Sequence, residues 1–212
     1  MFITFEGIEG SGKSTQAGLL YKVLKRNDIP SILTREPGGT RIGQQIRQIL
    51  MATGNSELCG ASELLLIQAD RAQHVAEVLK PALKKGTLII CDRFTDATVA
   101  YQGHGRGLDL ALIGRLNEYS SQGLRPDCTF LLDCPVEVGL RRALNRDKEA
   151  KRQTEGRFEQ EKSEFHQRVR DGYLRLAAAE STRFVVLDGT KGKDELAQEI
   201  LAFTEKLLGR HL

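Results

Sequence analysis

The octapeptide Gly7-Ile8-Glu9-Gly10-Ser11-Gly12-Lys13-Ser14 sets three glycines, a lysine and a hydroxyl at a spacing that suits one chemistry. Glycines let a backbone wrap closely round an anion with its N–H groups turned inward. An apolar run, residues 2–5, ends just before the octapeptide, and a helical run begins within it. That helix adds its positive N-terminus to the anion site. The whole pattern is that of a loop for nucleotide phosphates. Lys13 neutralises the β- and γ-phosphates and Ser14 ligates Mg²⁺. The flanking strand and helix set it apart from a plain glycine-rich turn.

A second group lies at Leu88-Ile89-Ile90-Cys91-Asp92-Arg93, an apolar run ending in an acid and a base. It puts a carboxylate at the carboxyl edge of a strand, where open α/β sheets bind ligands. Asp92 can approach the metal there, and Arg93 can clamp a phosphate with two parallel N–H bonds. Two further motifs follow strands: Thr34-Arg35-Glu36-Pro37-Gly38-Gly39-Thr40 and Tyr101-Gln102-Gly103-His104-Gly105-Arg106-Gly107. Both are expected on loops at the ligand edge. Neither is diagnostic on physical grounds alone. The Asn-Lys-x-Asp and Asp-x-x-Gly signatures of guanine-nucleotide switches are absent from the sequence.

These residues need a frame. Short apolar runs at residues 2–5, 31–33, 88–91, 129–132 and 184–187 read as buried strands. Helical periodicity covers residues 14–26, 41–51, 61–84, 110–121, 136–145, 161–179 and 194–208, with Pro81 expected to kink or restart the third stretch. Strands alternating with helices imply a parallel sheet with helices on both faces. The 212 residues fit one α/β domain with a sizeable core. Residues 146–156, polar and charged, read as a mobile loop or lid, or as a plain solvated connection, which charge alone favours.

A net charge of +3 is too small to argue for nucleic-acid binding. No apolar run approaches the ~18 residues of a membrane helix, and no leader precedes the phosphate loop. Cys59, Cys91, Cys128 and Cys134 form neither a Cys-x-x-Cys pair nor a metal pattern with the histidines, so reduced thiols in a cytoplasmic protein are expected. The four histidines receive no role. The residues alone leave open a kinase for some nucleoside or nucleoside monophosphate, and a protein that changes shape on binding a nucleotide.

The four motifs in this order resemble the thymidylate kinase family, and Thr-Arg-Glu-Pro-Gly-Gly-Thr is its most specific signature. The resemblance implies a P-loop NTPase fold with a five-stranded parallel sheet flanked by helices, commonly a homodimer. It implies transfer of the γ-phosphoryl of ATP to dTMP with Mg²⁺. Gly7, Ile8, Glu9, Gly10, Ser11, Gly12, Lys13, Ser14 and Thr15 then form the ATP loop, with Glu9 facing the acceptor's sugar. Glu36 and Pro37 wall the acceptor site. Arg71 contacts the thymine, Asp92 and Arg93 serve metal and acceptor phosphate, and Thr98, Tyr101 and Gln102 flank base and sugar. Residues 145–158 match the lid. The family's usual phenylalanine against the thymine is Ile67 here, which can pack on the ring but forfeits aromatic stacking. Some members carry a catalytic arginine at the position of Gly10. This chain follows the bacterial type, which uses lid arginines, and among Arg146, Arg152 and Arg157 the last is ranked first and Arg146 second.

Overall fold

The computed structural model describes residues 1–149 and 156–212, apart from the side chains of residues 146–149. Five parallel strands form one sheet in the order β2-β3-β1-β4-β5. They are β1 (Phe2–Glu6), β2 (Ser31–Arg35), β3 (Leu88–Asp92), β4 (Cys128–Asp133) and β5 (Phe184–Asp188). Alternation along each strand divides the core. Ile3 and Phe5 of β1 join Ile90, Phe130 and Leu132 beneath α1 (Lys13–Arg26) and α9 (Lys193–Leu208). Phe2, Ile89 and Cys91 point the other way, towards Val75, Leu79 and Phe94. Side chains of successive strand residues alternate between faces, so a sheet covered on both sides needs runs apolar throughout.

The helices between are α2 (Arg41–Met51), α3 (Gly60–His74), α4 (Lys80–Lys84), α5 (Thr95–Thr98), α6 (Leu110–Ser121), α7 (Val136–Glu149) and α8 (Ser163–Ala179). Thr40 caps α2, its hydroxyl accepting from the Gly43 N–H at 2.9 Å. The expected third stretch is broken as Pro81 requires. A π-helical turn at Val75–Leu79 separates α3 from α4, since Pro81 has no N–H to donate and its ring crowds the turn before it.

All five strands end at one edge, in Glu6, Arg35, Asp92, Asp133 and Asp188. Consecutive connections leave β1 towards β2 on one side and reach β4 on the other. The phosphate loop after β1 therefore opens where the strand order reverses, the place where such sheets take ligands.

Candidate active site

The loop between β1 and α1 is pressed against α7. Gly10 has φ +68°, and a Cβ there would lie 1.9 Å from the carbonyl oxygen of Gly139, so only glycine fits. Lys13 is not solvent-facing as its loop position suggests. It is 7% exposed, and its Nζ donates to the carbonyl of Ile8 at 2.8 Å. Burial first, and the Arg93 charge second, push its amine down to about 8. Ser14 Oγ donates to Asp92 Oδ2, so hydroxyl and carboxylate meet at the β3 edge. Two hard oxygen donors side by side suit Mg²⁺, which usually takes one or two protein ligands and completes its shell with phosphate and water. Among the described residues no cluster of three or more His, Cys, Asp or Glu offers a closed cage.

Arg93 follows Asp92 in the left-handed region, at φ +74°. Its Nη2 donates to Glu9 Oε1 at 3.0 Å and to Tyr101 Oη at 2.8 Å, and its Nη1 donates to Tyr173 Oη at 3.0 Å. The Tyr101 ring lies 4.5 Å beneath the guanidinium carbon. Three of the five N–H donors are thus engaged, which leaves Nε and one proton of Nη1 without a partner among the described residues. Glu9 also accepts from Tyr101 Oη at 2.6 Å and has His166 Nδ1 at 3.3 Å. Burial alone would raise its carboxyl. The contacts with His166, Arg93, Lys13 and Tyr101 outweigh that and hold it well below the usual carboxylate range.

Arg71 is buried, 1% exposed. Nε donates to Glu36 Oε2 (2.8 Å), Nη1 to Asn117 Oδ1 (2.7 Å) and Gln68 Oε1 (3.4 Å), and Nη2 to Thr98 Oγ1 (2.8 Å) and the Phe94 carbonyl (3.0 Å). All five donors are engaged. Glu36 is fixed from its other side by His74 Nδ1 at 2.9 Å, and His74 Nε2 pairs with Thr34 Oγ1 at 2.7 Å. The Glu36–Pro37 peptide is cis.

One cavity of about 170 Å³ gathers Glu9, Gly10, Lys13, Ser14, Glu36, Pro37, Ile67, Arg71, Asp92, Arg93, Thr98, Tyr101 and Gln102, together with Met51, Phe158 and Glu159. Ile67 lines it and is not a core side chain. A second cavity, of about 400 Å³, lies on the far side of the loop between Gly10–Gln16, Arg142, Gly189, Lys191 and Lys193. Arg142 donates there to the Gly189 carbonyl at 2.6 Å. Gly7 and Ile8 line neither cavity, and Ile8 contributes its carbonyl to Lys13.

Three expectations are corrected. Arg157 does not reach the phosphate loop. It is 6% exposed, donating to the Leu50 carbonyl at 2.7 Å and to Glu63 Oε2 at 2.5 Å, with its guanidinium 4.7 Å over the Phe158 ring. Glu63 also holds Gln102 and Arg106, so a buried carboxylate has drawn the arginine inward. Arg146 and Arg152 lie outside the described side chains. Tyr101 and Gln102 sit not on a loop but on a π-helical stretch, Val99–Gly105, continuing α5. Two histidines, His74 and His166, to which no sequence pattern assigns a role, are buried beside site carboxylates. Arg142, Gly189 and Lys191 were also missed. Arg142 lies midway along α7 and Gly189 and Lys191 just beyond β5, and no spacing rule ties them to the loop.

Comparison with known proteins bears on the same site. A family model described as thymidylate kinase matches residues 5–200. The chain is 54% identical over 210 residues to the thymidylate kinase of Geotalea daltonii, spanning 99% of this chain and 97% of that one. It is 52% identical over 201 residues to the thymidylate kinase of Pelobacter propionicus, spanning 95% and 92%. The crystal structure of thymidylate kinase from Ehrlichia chaffeensis superposes with a TM-score of 0.76 at 35% identity, covering 96% of this chain and 98% of that one.

Proposed function

The chain belongs to the thymidylate kinase family, and from that premise we propose how its residues divide the work. The reaction moves the γ-phosphoryl group of ATP to dTMP, giving dTDP and ADP. We assign ATP to the loop and the second cavity, with Arg142 and Lys191 walling its base and sugar. dTMP takes the first cavity, its phosphate towards Arg93 and its base between Ile67 and Thr98. The observation that carries this is the placing of Arg93. Arg93, with two donors unspent, lines a cavity that Lys13 also lines, so two phosphates can be held side by side there.

Phosphoryl transfer asks for alignment and charge neutralisation more than for covalent chemistry. Lys13 holds the donor phosphates. Anionic phosphates restore the proton that burial loosens from its amine. Ser14 and Asp92 would hold Mg²⁺. Mg²⁺ held there would supply charge neutralisation for the donor phosphates. Arg93 orients the acceptor phosphate and takes up charge that develops on it. Glu9 fixes Arg93 from behind and faces the acceptor's sugar. The acceptor is already an anion, so no general base is needed. Arg71 reads the base by giving up its longest bond, that to Gln68, in exchange for a base carbonyl. The lid expected at residues 145–158 falls mostly outside the described side chains, those of Arg146 and Arg152 included. We further propose a homodimer through α2, α3 and α6, which expose Ile42, Ile49, Leu65, Leu112 and Tyr119. A cytoplasmic site fits three buried thiols, and no helix among the described residues is long and apolar enough to cross a membrane.

A panel of monophosphates with ADP release as readout tests the acceptor. dTMP should give the highest kcat/KM, with dUMP slower. A higher value for GMP, AMP or CMP would overturn the assignment of the first cavity.

A further inference from the structure

The last residue of β1 has no part in the reaction as set out above, yet Glu6 is a carboxylic acid with no solvent exposure. An ionisable group stays in a core only where partners satisfy it. Glu6 has two. Its Oε1 accepts from the Phe94 N–H at 2.8 Å, and its Oε2 accepts from Tyr173 Oη at 2.7 Å. Both contacts lead to Arg93. Phe94 is the next residue in the chain, and Tyr173 Oη accepts from Arg93 Nη1. The left-handed backbone of Arg93 persists only where its surroundings over-determine it, and the bond to Phe94 is one of those constraints.

We infer that Glu6 is a positioning residue for the transfer. One of its oxygens fixes the backbone that carries Arg93, and the other fixes the guanidinium through Tyr173, so that the two unspent donors face the acceptor phosphate. The inference rests on the reading of Arg93 as the clamp on that phosphate. The alternative is a purely structural acid that satisfies one buried N–H.

The two separate on substitution. Glu6→Gln keeps the volume, but an amide offers one acceptor oxygen where the carboxylate offers two. With its oxygen turned to the Phe94 N–H, the amide sets an NH₂ against Tyr173 Oη, so the hydroxyl's bond to a carboxylate is replaced by a neutral one in the opposite direction; turned the other way, it leaves the Phe94 N–H without an acceptor. Tyr173→Phe removes the guanidinium arm alone. Kinetics are measured for both single variants, the double variant and Arg93→Ala, with dTMP and ATP each varied in turn. Each single variant should lose roughly ten- to hundredfold in kcat/KM for dTMP, the worth of a hydrogen bond to a charged group. The KM for ATP should not move. The double variant should be no worse than the poorer single, because both break one chain of contacts.

Unchanged dTMP kinetics with only a lowered melting temperature would reduce Glu6 to a core residue. Losses that multiply in the double variant would mean that the two act separately, and the relay would fall. Should Glu6→Gln not fold, Tyr173→Phe, which removes a single oxygen, still decides the guanidinium arm. If Arg93→Ala itself kept full dTMP turnover, the acceptor-phosphate reading would fail first, and visibly so without reference to Glu6.

Discussion

Arg157→Ala distinguishes a catalytic arginine from an anchoring one. In the structure the guanidinium bonds the Leu50 carbonyl at the end of α2 and the fully buried Glu63 on α3. Backbone N–H groups of Gly156 and Arg157 both donate to the Met51 carbonyl, so the side chain completes a seam that ties this stretch to α2. Breaking a buried ion pair by removing one partner costs about 3–5 kcal/mol. Glu63 keeps Arg106 and Gln102, which puts the cost at the low end, about 3 kcal/mol. For a chain of this size each kcal/mol moves Tm by about 2–4 °C, so a fall of about 6–12 °C is expected by calorimetry or dichroism. Glu63 holds Gln102 and shares α3 with Ile67, so a disturbed Glu63 should raise the KM for dTMP while kcat stays near that of the parent. Arg157→Lys keeps the charge but cannot make both bonds, and should fall between the two. An arginine acting on the transferred phosphoryl group would behave otherwise, costing ~10³–10⁵ in kcat. An Ala variant with the parent's Tm and a kcat loss of that size would refute the anchoring assignment.

Lys13→Ala should nearly abolish transfer with little change in ATP-free Tm, since its amine bonds only a loop carbonyl; turnover near normal in a folded variant would remove the loop from the mechanism. Ile67→Phe should tighten dTMP binding about two- to tenfold, because an aromatic pair adds ~0.5–1.5 kcal/mol beyond area burial, and calorimetric titration that finds no gain would move the base away from α3. Burial first, and the Asp96 charge second, push Glu6 up to about 7. The native state then holds a proton that the unfolded chain has released, so this group's contribution is full below the unfolded value and is lost as pH rises towards 7. Denaturant unfolding of Glu6→Gln should show a flatter dependence than the parent across that window, and identical slopes would mean that Glu6 does not titrate there.

The strands were legible because each is a short apolar run, and a sheet buried on both faces leaves no other signature. Their last residues were not. Glu6, Asp92, Asp133 and Asp188 continue the ladder by one position beyond the apolar run, because strand hydrogen bonding is a backbone matter and ignores side-chain polarity. That same step puts the acids on the working edge. Asp92, Arg93, Glu36 and the lysine and serine of the phosphate loop could be placed because local motifs carry them, Ile67 only through the family resemblance, and all of these line one cavity. Tyr173 and His166 are different. They sit on α8, and only packing 80 and 157 residues away in the chain brings them to Arg93 and Glu9. Arg157 shows the converse error. Its neighbours in sequence suggest a lid residue, and a buried carboxylate 94 positions earlier decides where it goes.

The contact between Gly10 and Gly139 bears on ancestry. In the family as the resemblance describes it, some members place an arginine where this chain has Gly10. For this chain that exchange is not one mutational step. Any side chain at position 10 would collide with the backbone of α7, so the helix must retreat before the arginine can enter. A retreated α7 carries the Arg142 and Arg146 positions back with it, so on the reading proposed above a cation offered from this helix is lost as the new one is gained. An intermediate with the arginine present and the helix unmoved fits neither arrangement. The two ways of supplying charge are thus separated by a fitness valley, and a lineage crosses it only when loop and helix change together. The residue types at positions 10 and 139 should therefore be inherited as a pair, and an alignment in which they vary independently would contradict this.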